Sequence, residues 1–410
     1  MPTLTLAPLG ISHTEGLATL GWELRAEGAA PFVLTHALPE AQACRFTDPA
    51  RGDHALVVAL LHAMARGLDI RVEGAVSPRL LDGLETLQTI WHRWVPARYA
   101  PVRIDVAEEA EAPAAPRDAG AVIAFSGGVD GTYSFFRHFT GAAGRATRRP
   151  TAALLVHGMD IPLDQPEVFA GALARGARML EGTGVPLLPI RTNARALGMD
   201  WEDSFGLQLI GCFLVFQGNF SAGIHGSDVS YDRLVLPWGA TIITDPLCST
   251  SSMEILHDGC EANRIDKVNW LAVQTEITSG LRVCWEGSSL DRNCGKCEKC
   301  VRTMLNFWCM GHSIPDAFPF PLTPDLVSSV LVKGTIQLAL LQEILHVAKY
   351  RHSASDPILL ALKRRVGQEQ SRLRRDEIGR MLKTSFKARL GPERASLLEG
   401  WRARLTGRRR

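Results

Sequence analysis

The segment that most constrains the fold is residues 121–139, AVIAFSGGVDGTYSFFRHF. An apolar run ends there in a glycine-rich turn, which passes directly into a helix. Glycines let the backbone approach an anion, and the first N–H groups of the helix then point at it with the helix dipole behind them. A turn of this kind at the carboxyl end of a strand predicts a phosphate-binding site in an α/β protein.

The pattern after residue 121 alternates between strands and helices. The segments TAALLVHGM, VPLLPIRT and FSAGIHGS are typical of strands, and helices are predicted near 166–182 and 203–218. This order favours a doubly wound parallel sheet with helices on both faces, and hence the α/β class.

The rest of the chain predicts three further regions. Residues 1–107 are predicted to form an N-terminal α+β domain, with strands in LGWELRAEG, APFVLTHAL, DIRVEGAV and PVRIDVAEE and helices in HALVVALLHAMARG and SPRLLDGLETLQTIWHRWV. Residues 108–120, rich in Ala, Pro and acidic residues, are predicted to be a linker. We expect a domain with this α/β pattern over 121–320 and a helical, basic C-terminal region over 321–410.

Composition and charge narrow the class of protein. Hydrophobic residues make up 46% of the 410 residues, as in ordinary globular proteins. The start of the chain has no secretory pattern, and the apolar run at 207–216 is too short to span a bilayer, so we expect a cytoplasmic protein with no membrane partner.

Residues 351–410 carry 17 Lys and Arg against 6 Asp and Glu. Such a tail suits a nucleic acid or an acidic partner protein, or it forms solvated helix faces.

The turn itself offers the groups that a phosphate site needs. Gly127 and Gly128 allow close approach, two hydroxyls can donate, and an acidic residue beside a phosphate favours a bridging Mg²⁺. The candidate phosphate-binding residues are Ser126, Gly127, Gly128, Asp130, Gly131 and Thr132.

Four cysteines follow with the spacing of a metal site. They are Cys284, Cys294, Cys297 and Cys300, in the pattern C-x9-C-x2-C-x2-C, and four thiolates suit a closed tetrahedral Zn²⁺ site. An iron–sulfur cluster is the alternative, but the C-x3-C-P continuation of a ferredoxin motif is missing. The pattern therefore favours structural zinc.

The turn SGGVDG resembles the SGGxDS signature of the PP-loop ATP pyrophosphatase superfamily. These enzymes cleave ATP to AMP and pyrophosphate and activate an oxygen of their substrate as an adenylate. In the family pattern a serine stands where this chain has Gly131, and we expect Thr132 to supply the missing hydroxyl.

The cysteine segment VCWEG…NCGKCEKCVR resembles the zinc motif of the QueC family, the 7-cyano-7-deazaguanine synthases. The likeness covers roughly residues 121–312. More than a hundred residues precede this region and about a hundred follow it, a layout closer to QueC-like proteins of bacterial phage-defence operons, the QatC type, than to QueC itself. QatC-type proteins join a 7-deazaguanine carboxylate to the N-terminal amine of a partner protein.

This resemblance implies the remaining site residues. Lys267, with Arg264, would neutralise pyrophosphate, and Asp130 would act with them in catalysis. The implied substrate-binding residues, which would read or stack on a guanine-like base or hold a second metal, are Asp228, Tyr231, Asp232, Asp245 and Trp285. The expected cofactors are ATP, Mg²⁺ and Zn²⁺, and the acceptor is a protein amine or ammonia.

Two other functions fit the same residues. A PP-loop enzyme that modifies tRNA by thiolation would use the basic tail to hold RNA, although no suitable cysteine is evident near the loop. A catalytically degenerate protein that only binds nucleotide would explain the glycine at position 131.

Overall fold

The computed structural model describes residues 2–116, 118–284, 286–287 and 289–378. The chain forms two compact units. Among the described residues, the first unit contains those of 2–295 and 312–319, and the second contains those of 296–311 and 320–378. Most of the predicted basic tail, and Trp285, lie outside the described residues.

The first unit is built on a ten-stranded, mostly parallel sheet. Its strands are β1 (Thr3–Thr14), β2 (Leu17–Ala26), β3 (Phe32–Pro39), β4 (Asp69–Val76), β5 (Ile104–Glu109), β6 (Ala121–Ala124), β7 (Pro150–His157), β8 (Leu187–Thr192), β9 (Ala222–Gly226) and β10 (Glu254–Asp258). The α/β class and the parallel strands predicted after residue 121 are confirmed. Strands β1 and β10 were not predicted from the sequence pattern.

The parallel part of the sheet has the order β10-β9-β6-β7-β8. The chain runs outward from β6 to β7 and β8, then returns to the other side of β6 for β9 and β10. The order therefore reverses at β6, and parallel sheets of this kind bind ligands at such a reversal point, at the carboxyl ends of the strands. The turn predicted to bind phosphate follows β6, so it lies at this reversal point.

The N-terminal strands extend the same sheet. β3 pairs antiparallel with β8 through His36 and Ala37, and β2, β1, β4 and β5 continue the sheet from there. One hydrophobic core runs under both parts and includes Trp22 from β2 and Phe213 from the helix after β8. The residues before 107 and those of 121–295 thus belong to one compact unit, and a separate functional role for the N-terminal segment stays a prediction.

The predicted linker is anchored to that unit. Ala110 donates its N–H to the Val76 carbonyl at 3.0 Å, and its own carbonyl accepts from the buried Arg51 guanidinium at 2.8 Å. Arg51 also pairs with buried Asp53, whose carboxylate accepts from Gln217 at 2.7 Å. A buried ion pair is tolerated only with such additional hydrogen bonds.

Helices flank the sheet and build the second unit. In the first unit they are α1 (Asp53–Arg66), α2 (Pro78–Trp94), α3 (Val129–Phe139), α4 (Pro166–Met179), α5 (Trp201–Leu214), α6 (Arg264–Ala272) and α7 (Thr275–Thr278). In the second unit they are α8 (Glu298–Cys309), α9 (Pro324–Ser329) and α10 (Thr335–Arg351), followed by a helix over residues 357–378. Within the described ranges, no helix has the length and apolarity to cross a membrane.

Two histidines lie fully buried in the core. His36 and His54 have ring centroids 5.2 Å apart, and in the part of the chain that the structure describes none of their four ring nitrogens has a hydrogen-bond partner. Burial lowers the pKa of His36 to about 3. Burial, followed by the nearby charge of His36, lowers the pKa of His54 well below its ordinary value. Both rings are therefore neutral in the folded protein near neutral pH.

We predict that the protein loses stability as the pH falls below about 6.5. The unfolded chain takes up protons at His36 and His54 there, whereas the folded chain does not until much lower pH, so each residue removes about 1.4 kcal/mol of stability per pH unit. Urea unfolding between pH 7 and pH 5 measures this slope. The His36→Leu variant should show a shallower slope than the wild-type protein, and equal slopes in the two proteins would contradict the assignment.

Candidate functional site

The turn after β6 is shaped to present backbone N–H groups. Gly127 adopts a left-handed conformation with φ of 78°, which favours glycine, and Gly128 precedes the first residue of α3. The Ser126 side chain is exposed and accepts from the Gly128 N–H at 3.4 Å. The turn therefore joins an exposed hydroxyl to the N-terminus of an eleven-residue helix.

The three predicted catalytic residues meet at this turn. The Asp130 carboxylate in the first turn of α3 accepts from Arg264 Nη2 at 2.7 Å and from Lys267 Nζ at 3.4 Å. Arg264 and Lys267 come from α6, which follows β10. Residues more than 130 positions apart in sequence thus form one cluster of charges beside the predicted phosphate turn.

Lys267 is held in a defined place. Its ammonium group is buried and donates to the Ser227 carbonyl, just past β9, at 2.5 Å. The α6 helix that carries it begins with a capping box, in which Asn263 and Asp266 satisfy each other's backbone N–H groups. The ammonium is therefore fixed by α3, α6 and the end of β9 together.

Close backbone packing explains the glycine at position 131. A Cβ atom there would lie 2.7 Å from the Ala124 carbonyl oxygen. Gly226 of β9 also packs closely, because a Cβ atom added to it would lie 2.8 Å from the Asp130 carbonyl carbon. A serine at 131 does not fit this backbone without a shift. Thr132, predicted to replace its hydroxyl, is fully buried, and its hydroxyl has no hydrogen-bond partner among the described residues.

Arg282 is a site residue that was not predicted from the sequence. Its backbone N–H donates to the Gly127 carbonyl at 2.8 Å and its guanidinium to the Ser126 carbonyl at 3.0 Å. The side chain is buried, which lowers its pKa, while the carboxylate of Asp160 acts in the opposite direction. Arg282 thus holds the turn in place from a distant segment of the chain. Its position two residues before Cys284 is the only sequence signal for it.

The predicted base-binding residues occupy different surroundings. Asp228, Tyr231 and Asp232 are exposed after β9, and the Tyr231 N–H donates to the Cys260 carbonyl at 2.8 Å, which ties this loop to the end of β10. Asp232 accepts from the Ser230 hydroxyl, and this hydrogen bond lowers its pKa. Asp245 is buried elsewhere, and Trp285 lies outside the described residues.

Asp245 belongs to a second, buried group of polar side chains. One of its carboxylate oxygens, Oδ2, lies 3.0 Å from His225 Nδ1 and 2.8 Å from His257 Nδ1. Burial alone would raise the pKa of Asp245, but the two histidines hold it well below its usual value. Burial opposes protonation of His257, but its contacts with Asp245 and Cys260 raise its pKa overall. The three donor atoms lie within 4.8 Å of one another and could hold a metal ion.

The four predicted metal ligands also come together. The sulfur atoms of Cys284, Cys294, Cys297 and Cys300 lie within 4.8 Å of one another, and all four thiols are outside disulfides. Tetrahedral zinc with bonds of about 2.3 Å places its sulfur ligands roughly 3.8 Å apart, which this group can reach with small movements. The cluster could thus hold a metal such as zinc.

Local backbone geometry presents these thiols. Gly295 adopts φ of 72° in the knuckle between the second and third ligands. Buried Asn293 accepts from the N–H groups of Val283 and Cys284, at 2.8 and 3.2 Å, and donates to the Leu281 carbonyl at 2.8 Å. One amide side chain therefore orients the segment that carries the first ligand.

Comparisons with protein-family models, with curated proteins and with solved structures give no match to this chain.

We predict that Gly131→Ser destabilises the protein. The added side chain meets a backbone carbonyl that cannot move without shifting β6 or α3, at a cost of about 1–3 kcal/mol. Gly128→Ala is the matched control, because its Cβ would meet the flexible Ser126 hydroxyl at 3.3 Å and the Arg282 carbonyl oxygen at an ordinary contact distance of 3.8 Å. Urea unfolding compares the two variants, and equal stability would contradict the packing argument.

We also predict one tightly bound zinc ion per chain at the four cysteines. Cys297→Ser should lose this ion, because three thiolates and a hydroxyl bind zinc less tightly than four thiolates. The exposed Cys44 lies outside the cluster, so Cys44→Ser should retain it. Metal analysis of the purified proteins measures the content; iron together with sulfide would contradict the assignment.

Proposed function

We propose that this protein is an ATP-dependent ligase of the PP-loop type, which activates a carboxylate as an adenylate and passes it to an amine. The observation that carries the proposal is the cluster of Asp130, Arg264 and Lys267 beside a glycine turn at the reversal point of the sheet. Two fixed cations next to the N-terminus of a helix suit a pyrophosphate group, which carries several negative charges.

The chemistry of the reaction explains why such a site is needed. A carboxylate oxygen attacks the α-phosphorus of ATP, and the bond between that phosphorus and the bridging oxygen of pyrophosphate breaks. An amine then attacks the activated carbonyl carbon, AMP leaves, and the amine loses a proton to a base. Negative charge builds on the departing pyrophosphate, so fixed cations placed there lower the barrier.

Each part of the turn has a role in this proposal. Gly127 allows the left-handed turn, Gly128 leads into α3, Ser126 offers an exposed hydroxyl, and Arg282 holds the turn in shape. Arg264 and Lys267 would neutralise pyrophosphate. Asp130 is the residue whose carboxylate would hold Mg²⁺, which supplies further positive charge at the phosphates; its half-buried position leaves it partly open to solvent.

The substrate class follows from the resemblance to the QueC family. We propose a 7-deazaguanine carboxylate, with a protein N-terminus as the acceptor, as in QatC-type defence proteins, or ammonia. The exposed side chains of Asp228, Tyr231 and Asp232 lie at the carboxyl end of β9, on the same sheet edge as the turn, where they could contact the base. A cytoplasmic location, a zinc ion at the cysteines and a role of the N-terminal segment in choosing the acceptor belong to the same proposal.

One observation favours a second function, nucleotide binding without cleavage. The backbone leaves no space for a side chain at Gly131, and Thr132 is buried, so the turn has fewer hydroxyl donors than the SGGxDS pattern provides. A protein of this kind would bind ATP at the same turn but would not release AMP.

The test is release of AMP and pyrophosphate from ATP in the presence of 7-carboxy-7-deazaguanine and an amine. We predict release that depends on the carboxylate and falls by about 100-fold or more in Lys267→Met, because a fixed cation at the departing group is lost. Lys349→Met, at an exposed position on α10, is the matched control and should keep the activity.

Two results would contradict the ligase. ATP that binds but is never cleaved, with any amine, would establish the nucleotide-binding function instead. Cleavage at equal rates in Lys267→Met and the wild-type protein would show that the chemistry takes place away from this cluster.

A further inference from the structure

We infer that His225, Asp245 and His257 form a second metal site, which binds a divalent transition-metal ion through two imidazoles and one carboxylate. This site is separate from the four cysteines and from the phosphate turn, and it does not depend on the proposed ligase function. Imidazole with carboxylate suits Mn²⁺, Fe²⁺, Co²⁺ or Zn²⁺ rather than the cations that prefer oxygen ligands alone.

The distances between the donor atoms fit one ion. His225 Nδ1 and His257 Nδ1 lie 3.0 and 2.8 Å from the same oxygen of Asp245. Ligands bound at about 2.1 Å in neighbouring positions of an octahedron are separated by about 3.0 Å. The two nitrogen–oxygen separations therefore match neighbouring positions of an octahedron, and the two nitrogens lie within 4.8 Å of each other. Three protein ligands leave the remaining positions to water or a ligand.

The sheet fixes the two histidines next to each other. β9 and β10 are parallel, and His225 is paired in register with His257, each one residue before the end of its strand. Neighbouring residues of a strand point to opposite faces. Asp258 contacts Arg137 and His138 of α3, so His257 points to the face away from α3. The metal site therefore lies on the sheet face opposite the helix of the phosphate turn.

The other oxygen of Asp245 is held separately. It accepts from the Thr241 N–H at 3.1 Å and from the Thr244 hydroxyl at 3.5 Å, which orients the carboxylate and leaves its second oxygen directed at the histidines. Supporting hydrogen bonds of this kind are typical of metal-binding carboxylates.

Burial of the group is uneven, which gives an ion a way in. The side chains of Asp245 and His257 are each 1% exposed, whereas that of His225 is 13% exposed. The Phe205 ring packs edge-on against His225 at 6.2 Å and forms an apolar wall beside it. The open positions of the ion would therefore face outward past His225.

The experiment is a Mn²⁺ titration of the full chain loaded with one equivalent of zinc, monitored by electron paramagnetic resonance of the free Mn²⁺ ion. Zinc prefers the four thiolates, for which Mn²⁺ is a poor competitor, so a single equivalent of zinc leaves a site made of nitrogen and oxygen open to Mn²⁺. We expect one Mn²⁺ per chain. Binding should weaken by about tenfold or more in Asp245→Asn and in His225→Leu, since each removes a ligand or its charge.

A control variant distinguishes this site from the rest of the chain. His62→Gln, at a histidine on α1 outside the group, should bind Mn²⁺ as the wild-type protein does. Circular dichroism establishes that each variant is folded.

Two outcomes would overturn the inference. The first is the lack of a stoichiometric Mn²⁺ site in the zinc-loaded wild-type chain, which would make the three residues a hydrogen-bonded network only. The second is equal binding in folded Asp245→Asn and the wild-type protein, which would place the ion elsewhere.

Discussion

The buried ammonium group of Lys267 is the interaction on which the candidate site depends. A charge removed from water must be paired and hydrogen-bonded, and loss of one partner from a buried pair costs about 3–5 kcal/mol. Lys267 meets this requirement through Asp130 and the Ser227 carbonyl. The first turn of α3, the end of β9 and the α6 helix must therefore come together at one point, and this convergence places two cations beside the glycine turn.

Close packing at the same point limits what the turn can contain. Gly131 and Gly226 allow α3 to approach β6 and β9 at distances that any side chain would prevent. The glycine that departs from the SGGxDS pattern is thus required by this backbone. In the proposed ligase, catalysis then depends more on the backbone N–H groups and on Arg264 and Lys267 than on hydroxyl donors.

Local patterns predicted much of the fold but little of its long-range arrangement. The alternation of strands and helices after residue 121 and the cysteine spacing are local features, and both the parallel strands and the four-cysteine group were predicted correctly. The pairing of β3 with β8 joins residues about 155 positions apart, and no local pattern specifies it. Arg282 and the pairing of His225 with His257 were not predicted for the same reason. Arg282 reaches the glycine turn from a distant segment of the chain, and the register between β9 and β10 places the two histidines side by side.

A crystal structure of the protein with ATP and Mg²⁺ would show directly whether the Lys267 cluster faces a phosphate site. We predict that the β- and γ-phosphates lie at the N–H groups that follow Gly127, within hydrogen-bonding distance of Arg264 or Lys267. Phosphates bound away from this turn, with the ion pairs of Asp130 undisturbed, would contradict the proposed role of the cluster.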